Sequence, residues 1–284
     1  MRENAIGSAP RNGNTTPREN PEEPTNSTES QLPGNKRAGS RVRSGRSGTT
    51  GVRSMSAAEA LKGEAEVQRV ATARQGELPD VAAQTERLVD LGVARAAGVS
   101  ARALRALAAG LDGPTGATLA VHPTLVPAAA LARFLSRAGR PGFVVSDMTD
   151  LEAYVPARGV DVPPVPLYLV ADVDRGDDMR GWTPDDAHPA ITARGRTPLT
   201  VSEGISWLLQ RPEALEPNAC FMCVGSRKPR GSGLDPRTPA IWISGGTGRD
   251  GRERRGAPKV GWCWAGNRHT WLGFAHAAGR VAAW

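Results

Sequence analysis

The chain divides into stretches whose apolar residues recur at helical spacing and short apolar runs bounded by glycine, proline and charged residues. Apolar residues three or four apart line one face of a helix, whereas a short continuous apolar run is typical of a buried strand. Helical spacing predicts helices over 56–75, over 79–111 with breaks at Gly92 and Gly98, and over 126–138. This part of the chain is therefore predicted to be mainly helical.

Short apolar runs predict strands at 119–121, 143–145, 167–173, 219–224, 240–244 and 260–264. The last three follow one another through glycine-rich, charged connections, which favours an antiparallel meander. A helix is expected to begin at Thr200, because Thr200 and Glu203 have the spacing of a capping box. The expected fold class is α+β, with an N-terminal helical part packed on a C-terminal antiparallel β-meander with helices.

Residues 1–54 consist mainly of Asn, Thr, Ser, Pro, Gly and Arg, with almost no large apolar side chain. Such a segment cannot bury enough apolar surface to offset the entropy lost on ordering. We therefore expect a disordered basic tail over 1–54, a mainly helical subdomain over 55–145 and a Trp-rich α+β subdomain over 146–284. As an alternative, 1–54 is an upstream extension, since Met55 opens a far more protein-like sequence.

The net charge of +7 is concentrated in the tail, where nine basic and five acidic residues give +4. Only four of the 36 basic residues are lysine, and arginine and alanine dominate the rest of the chain. That bias is typical of a high-GC bacterial genome, so the arginine content is weak evidence for a polyanionic partner. Nucleic acid stays open as a partner but is not favoured.

Several classes of protein are excluded by what the sequence lacks. No run approaches 18 consecutive apolar residues, and the N-terminus lacks the apolar segment of a secretory signal, so no membrane association is expected. Three cysteines do not form a disulfide scaffold, which favours a reducing cytoplasm.

Cys220 and Cys223, with Cys263 and His269 further along, would supply four ligands for a tetrahedral zinc ion. However, Phe221 and its neighbours indicate a strand, on which residues three apart point to opposite faces. The sequence therefore predicts no metal, and it offers no motif for another cofactor.

Several longer phrases are specific enough to suggest a family: Asp172–Asp174, Gly195–Thr200, Glu203–Gly204, Ser226–Arg227, Pro239–Ile243, Gly261–Trp264 and His269–Gly273. Together they resemble a family of uncharacterised actinobacterial proteins, a domain of unknown function, over roughly residues 80–280. The resemblance implies a cytoplasmic, actinobacterial setting. It implies no activity, ligand or catalytic residue.

In a meander, the first and third connections emerge at the same end of the sheet. The connections 225–239 and 266–269 are therefore expected to lie together, whereas the arginine-rich loop 245–257 is expected at the opposite end. The predicted anion-binding residues are Ser226, Arg227, Arg237, Asn267, Arg268 and His269. Guanidinium groups suit carboxylate or phosphate, so the leading function is a non-enzymatic binding module for an anionic small molecule or an acidic partner surface. The alternative is two solvated loops beside a packed tryptophan cluster.

An enzyme is the first rival function. His269 would act as acid or base, and Asp172 and Asp174, two apart at a strand end, would share one face and handle metal or protons. The alternative is a polar strand end that runs into an acidic loop, which includes Asp185 and Asp186.

A DNA-binding regulator is the second rival. Residues 93–107 resemble a helix-turn-helix, with Ala94, Gly98, Leu104 and Leu107 at packing positions. On that interpretation, Arg102 and Arg105 would face the DNA groove. The alternative is a pair of packed helices in an Ala-rich region.

Overall fold

Six α-helices form within residues 78–283, the part of the chain that this computed structural model describes. They are α1 (Val81–Leu91), α2 (Val93–Ala96), α3 (Ala101–Ala108), α4 (Ala128–Leu131), α5 (Pro184–Ala193) and α6 (Val201–Gln210). The predicted tail over 1–54 and the predicted helix over 56–75 lie outside the described residues.

The same part of the chain contains sixteen short strands. They are β1 (Thr118–Val121), β2 (Ser136–Arg137), β3 (Arg140–Pro141), β4 (Phe143–Val144), β5 (Val155–Pro156), β6 (Leu167–Ala171), β7 (Thr197–Pro198), β8 (Cys220–Met222), β9 (Ser226–Arg227), β10 (Pro229–Arg230), β11 (Gly233–Leu234), β12 (Arg237–Ile243), β13 (Pro258–Trp264), β14 (Leu272–Phe274), β15 (His276–Ala277) and β16 (Gly279–Val281).

The main sheet has five strands in the order β14-β8-β12-β13-β4. Its centre is the predicted meander, in which β8, β12 and β13 pair antiparallel; Arg237 pairs with Trp264 at one end and Ile243 with Pro258 at the other. The edge strands β14 and β4 add in parallel. A second sheet has the order β1-β6-β16. The α+β class with a C-terminal antiparallel meander is therefore confirmed.

Helix α6 connects the two sheets, because it contacts both β1 of the second sheet and β12 of the main sheet. All ten of its residues are buried. The predicted capping box is present, because the Thr200 hydroxyl accepts from the Glu203 backbone amide and the Glu203 carboxylate accepts from the Thr200 amide. The main sheet approaches closely at Gly204, where an added Cβ would lie 2.6 Å from the Cys223 Sγ.

Glu203 has a second partner that the sequence pattern did not indicate. The Arg280 guanidinium in β16 donates two hydrogen bonds to the buried Glu203 carboxylate, and the Tyr168 hydroxyl in β6 donates a third at 3.0 Å. This buried ion pair joins the last strand to α6. Buried apolar residues from Leu88 to Ala277 form one cluster around it. The subdomain boundary between residues 145 and 146 stays a prediction.

Two predicted elements are corrected. The expected helix over 126–138 ends early: α4 continues only as a 3₁₀ turn to Phe134, and a hairpin of β2 and β3 follows. Left-handed backbone at Ala138 and Gly139, with φ of 49° and 74°, makes the hairpin turn. The expected acidic loop at Asp185 and Asp186 is instead the first turn of α5.

Helix α5 has the start signals that the sequence analysis did not use. Thr183 is the N-cap and accepts from the Asp186 amide, Pro184 occupies the first helical position, and two aspartates complement the helix dipole. Pro189 inside the helix obscured the pattern. Among residues 78–283, none of the helices has the length and apolar character needed to cross a membrane.

Candidate functional site

One end of the main sheet gathers the loops that follow β8 and β13. Arg237 and Trp264 are paired there, and the Ala265 amide donates to the Pro236 carbonyl at 2.7 Å. The arginine-rich loop 245–257 leaves the other end, where the Gly256 amide donates to the Ser244 carbonyl. We call the group of residues at the first end the Arg227 cluster. It comprises the ion-paired residues Arg227, Lys228, Arg237, Arg268, Asp150, Asp185, Asp186 and Asp235, together with Tyr154 and His188.

Arg237 is fully engaged with protein partners. Each of its three guanidinium nitrogens donates to a carboxylate, Asp235 or Asp150, at distances from 2.6 to 3.2 Å. The Arg237 hydrogen bonds are the main cause that lowers the pKa of Asp150 to about 2, with a further contribution from Lys228. Arg237 also lies 5.8 Å from the ring centres of Tyr154 and Trp262. Its main role is therefore to hold this end of the sheet together.

Arg227 is bonded much more loosely, although it is buried. Its Nη1 donates to Asp185 at 3.2 Å and its Nη2 to the Asp235 carbonyl at 3.4 Å. Its Nε has no hydrogen-bond partner among residues 78–283, and the residue is only 8% exposed. A buried guanidinium that keeps an unpaired donor is costly, so a hydrogen-bond acceptor at this atom would be stabilising.

Two further polar atoms near Arg227, the Tyr154 Oη and the His188 Nε2, are also buried and have no hydrogen-bond partner in the described part of the chain. Burial raises the pKa of Tyr154 to about 12, with Arg237 and Arg227 among the opposing influences. Burial also lowers the pKa of His188, and the positive charge of Arg227 lowers it further. Both groups are therefore neutral at pH 7 and within electrostatic reach of Arg227.

The fold explains why these three residues meet. β5 pairs with β9, which sets Val155 opposite Arg227 and brings the preceding Tyr154 alongside. Just before β9, Gly225 packs closely on the segment that leads into α6, because an added Cβ would lie 2.5 Å from the Leu199 carbonyl oxygen. Asp185 and His188 are three residues apart on α5, so they lie on one helix face.

The ion-paired charges at this end balance. The four paired cations are Arg227, Lys228, Arg237 and Arg268, and the four carboxylates are Asp150, Asp185, Asp186 and Asp235. Arg230, on the same connection, is exposed. Summed positive charge, which the sequence analysis relied on, is therefore not what distinguishes the site. The distinguishing feature is the group of unpaired buried donors around Arg227.

The remaining predicted residues at this end have other contacts. The Ser226 hydroxyl is buried and accepts from the Val201 amide, so it caps α6. Arg268 is exposed and donates to the Gly181 carbonyl and to Asp186. The His269 ring packs against Trp271, with 5.5 Å between ring centres, and the backbone N–H of Asn267 donates to the Trp264 carbonyl.

Asp172 and Asp174 belong to a different group. Arg196 donates to the Asp172 carboxylate and to the Nδ1 of His276, both at 2.7 Å. Asp174 pairs with His276 through two backbone hydrogen bonds. The histidine beside these carboxylates is thus His276, which the sequence analysis did not consider, whereas His269 lies beside Trp271.

The helix-turn-helix positions are only partly as expected. The helix before the turn, α2, has four residues, and Leu104 is buried as predicted. Leu107 was expected to anchor the second helix but is 38% exposed. Arg105 donates two hydrogen bonds of 2.7 Å to Glu86 of α1, which engages the guanidinium proposed to read DNA.

A cavity of about 790 Å³ lies elsewhere, between α1, the end of α3 and the loop 111–117. Its charged lining includes the paired Glu86 and Arg105. None of the three unpaired atoms of the Arg227 cluster lines it, so we place the candidate site by its chemistry rather than by cavity size.

The cysteines are free thiols. Burial raises the pKa of Cys263 to about 12 and that of Cys223 still further, so both stay protonated at neutral pH. Within 78–283 no group of three or more His, Cys, Asp or Glu side chains is placed to hold a metal ion.

Fold and site together define an α+β protein with a buried, incompletely paired guanidinium at one end of a mixed sheet. A model of a family of unknown function, DUF5701, matches residues 87–283. That is more than half of the chain, which therefore belongs to this family. Searches of curated proteins and of solved structures found no match to the chain.

Proposed function

We propose that the protein is a non-enzymatic binding module for a small oxyanion, or for an anionic group on a small molecule, at Arg227, Tyr154 and His188. The observation that carries the proposal is the Nε of Arg227, a buried charged donor without a hydrogen-bond partner in residues 78–283. An oxyanion would accept from this Nε and from the Tyr154 hydroxyl. His188 would donate in its Nε2–H tautomer.

The contact of Asp185 with Arg227 is compatible with ligand binding by Arg227. Its side chain is 64% exposed and its contact with Arg227 is long, so it neutralises the guanidinium without occupying all its donors. A buried guanidinium suits the end of a small molecule better than a flat acidic surface. Nucleic acid is not favoured, because Arg105 is already paired with Glu86.

The proposed setting is a reducing cytoplasm, supported by the three free thiols. An actinobacterial source belongs to the same proposal and is supported by the bias toward arginine and alanine.

Calorimetric titration with phosphate, sulfate and acetate at low ionic strength tests the proposal. We expect saturable binding of at least one oxyanion, and at least tenfold weaker binding by Arg227→Gln. Arg252→Ala is the matched control, because Arg252 is exposed in the loop at the opposite end of the sheet. It is expected to bind as the wild type does.

Tyr154→Phe separates binding from folding. The Tyr154 hydroxyl has no hydrogen-bond partner within 78–283, so its removal should leave the melting temperature unchanged or raise it. The same variant should bind the oxyanion several-fold more weakly. The proposal is wrong if no oxyanion binds the wild type, or if folded Arg227→Gln and Tyr154→Phe both bind it normally.

A further inference from the structure

Exposed apolar side chains lie on segments at the same end of the sheet as the Arg227 cluster. Of the four large apolar residues that are exposed within 78–283, three lie on segments at this end of the sheet: Val155, Leu234 and Trp264. Val155 pairs with Arg227, Leu234 ends the hairpin after it, and Trp264 pairs with Arg237. Ligand sites commonly combine such an apolar lining with a few oriented polar groups.

A row of rings and a guanidinium connects the exposed surface to the unpaired donors. Trp264 is 40% exposed and meets the half-buried Trp262 edge to face, with 4.7 Å between ring centres. Trp262 in turn faces the Arg237 guanidinium, whose other neighbour is the Tyr154 ring. We call Trp264, Trp262, Arg237 and Tyr154 the aromatic row.

We infer that the ligand of the Arg227 cluster is a nucleotide-like molecule, in which a phosphate is joined to a planar heteroaromatic ring. This inference rests on the proposed function, which supplies the phosphate site. The ring stacks on Trp264, and the phosphate accepts from Arg227 and Tyr154. Stacking on an aromatic side chain suits a heterocycle, because every base presents a π face.

Two residues connect the phosphate site to the strand that carries Trp264. Asp235 accepts from Arg237 through its carboxylate and from Arg227 through its carbonyl oxygen. Arg237 faces Trp264 directly across the pair of strands. Asp235 and Arg237 therefore link the guanidinium of Arg227 to the strand pair that carries the exposed indole.

The phosphate also fits the donors better than a carboxylate does. A guanidinium Nε, a hydroxyl and an imidazole come from three separate elements, β9, the segment before β5 and α5. Tetrahedral oxygens can accept from three such directions, whereas a planar carboxylate suits the parallel donors of one guanidinium. The neutral Tyr154 and His188 donate without adding charge.

The test compares inorganic phosphate, ribose 5-phosphate and the four ribonucleoside monophosphates by calorimetry, with tryptophan fluorescence as a second signal. We expect at least one monophosphate to bind tenfold or more tightly than inorganic phosphate does. Trp264→Leu should lower the affinity for that monophosphate to the affinity for inorganic phosphate. It should change inorganic phosphate binding by less than twofold, whereas Trp264→Phe should restore much of the difference.

Leu107→Ala is the control for loss of an exposed apolar side chain, since Leu107 lies on α3. It should change neither affinity. Arg227-dependent phosphate binding without tighter nucleotide binding, or without an effect of Trp264→Leu, would overturn this inference and leave the proposed function standing. Absence of any Arg227-dependent oxyanion binding would remove both.

Discussion

At the scale of single residues, His188 offers a pH-dependent test of the anion site. Burial, and then the charge of Arg227, lower the pKa of His188, so the imidazole is neutral at pH 7 in the ligand-free protein. A bound anion favours the imidazolium, so the affinity for sulfate should rise as the pH falls below 6.5. His188→Gln should flatten this dependence, measured by sulfate titration between pH 7.5 and 5.5.

His122→Gln serves as the control, because burial lowers the pKa of His122 as well while its ring neighbours Tyr168. That variant should keep the pH dependence of the wild type. A His188→Gln protein whose sulfate affinity still rises as the pH falls would exclude His188 from the site.

The stability of the ligand-free protein has the opposite pH dependence. A lowered histidine pKa makes the native state bind fewer protons than the unfolded state, so stability falls as the pH drops below 6.5.

Single residues also show where sequence reasoning stops. The location of Arg227 and Arg237 at one end of the sheet could be predicted, because the meander fixes which loops share an end. Their partners could not, since Asp150 contacts Arg237 across 87 positions of sequence and nothing in the local pattern links the two. The positions of Tyr154 and His188 near Arg227 were not predicted, for the same reason. The topology therefore indicated which charged loops lie together, whereas the pairing of their charges depends on distant segments.

At the scale of elements, the packing of α6 predicts that replacing one of its glycines with alanine destabilises the protein. Alanine normally stabilises a helix by about 1 kcal/mol relative to glycine. At Gly204, however, a Cβ would lie 2.6 Å from the Cys223 Sγ and 3.0 Å from the Phe221 ring. We expect Gly204→Ala to lower the free energy of unfolding by about 1–3 kcal/mol, measured by urea denaturation.

Gly266→Ala is the matched control, because nothing lies within 4 Å of its added Cβ and its φ is not left-handed. It should be close to neutral. Cys223→Ala in the Gly204→Ala background should recover part of the loss by removing the nearest atom. A Gly204→Ala protein as stable as the wild type would show that the sheet does not press on α6 as described.

Elements with strong local signals were predictable from the sequence, and elements set by tertiary contacts were not. The capping box of α6 and the three central strands have such signals and are confirmed. The predicted helix over 126–138 failed, because apolar spacing did not reveal the turn at Ala138 and Gly139. Helix α5 was missed although Thr183 and Pro184 marked its start, and with it the face that carries Asp185 and His188.

At the scale of the whole molecule, the buried ion pair of Arg280 and Glu203 links β16 to α6. Their side chains are almost fully buried, and Tyr168 completes the hydrogen bonding. Removing one partner leaves a buried charge uncompensated, so Arg280→Met should cost about 3–5 kcal/mol of stability. Glu203→Gln combined with Arg280→Met should cost clearly less than the sum of the single losses, and a double-mutant cycle by urea denaturation checks this. Additive losses would contradict the paired arrangement.

The central claim is that the Arg227 Nε–H receives an oxyanion, and its own NMR signal tests this most directly. In protein with ¹⁵N-labelled arginine, the Arg227→Gln variant identifies the Nε–H resonance of Arg227. Titration with phosphate should shift that resonance saturably, with the same dissociation constant that calorimetry gives, while the Nε–H signals of exposed arginines such as Arg252 stay in place. An Arg227 resonance that does not move at phosphate concentrations that saturate the calorimetric signal would contradict the account.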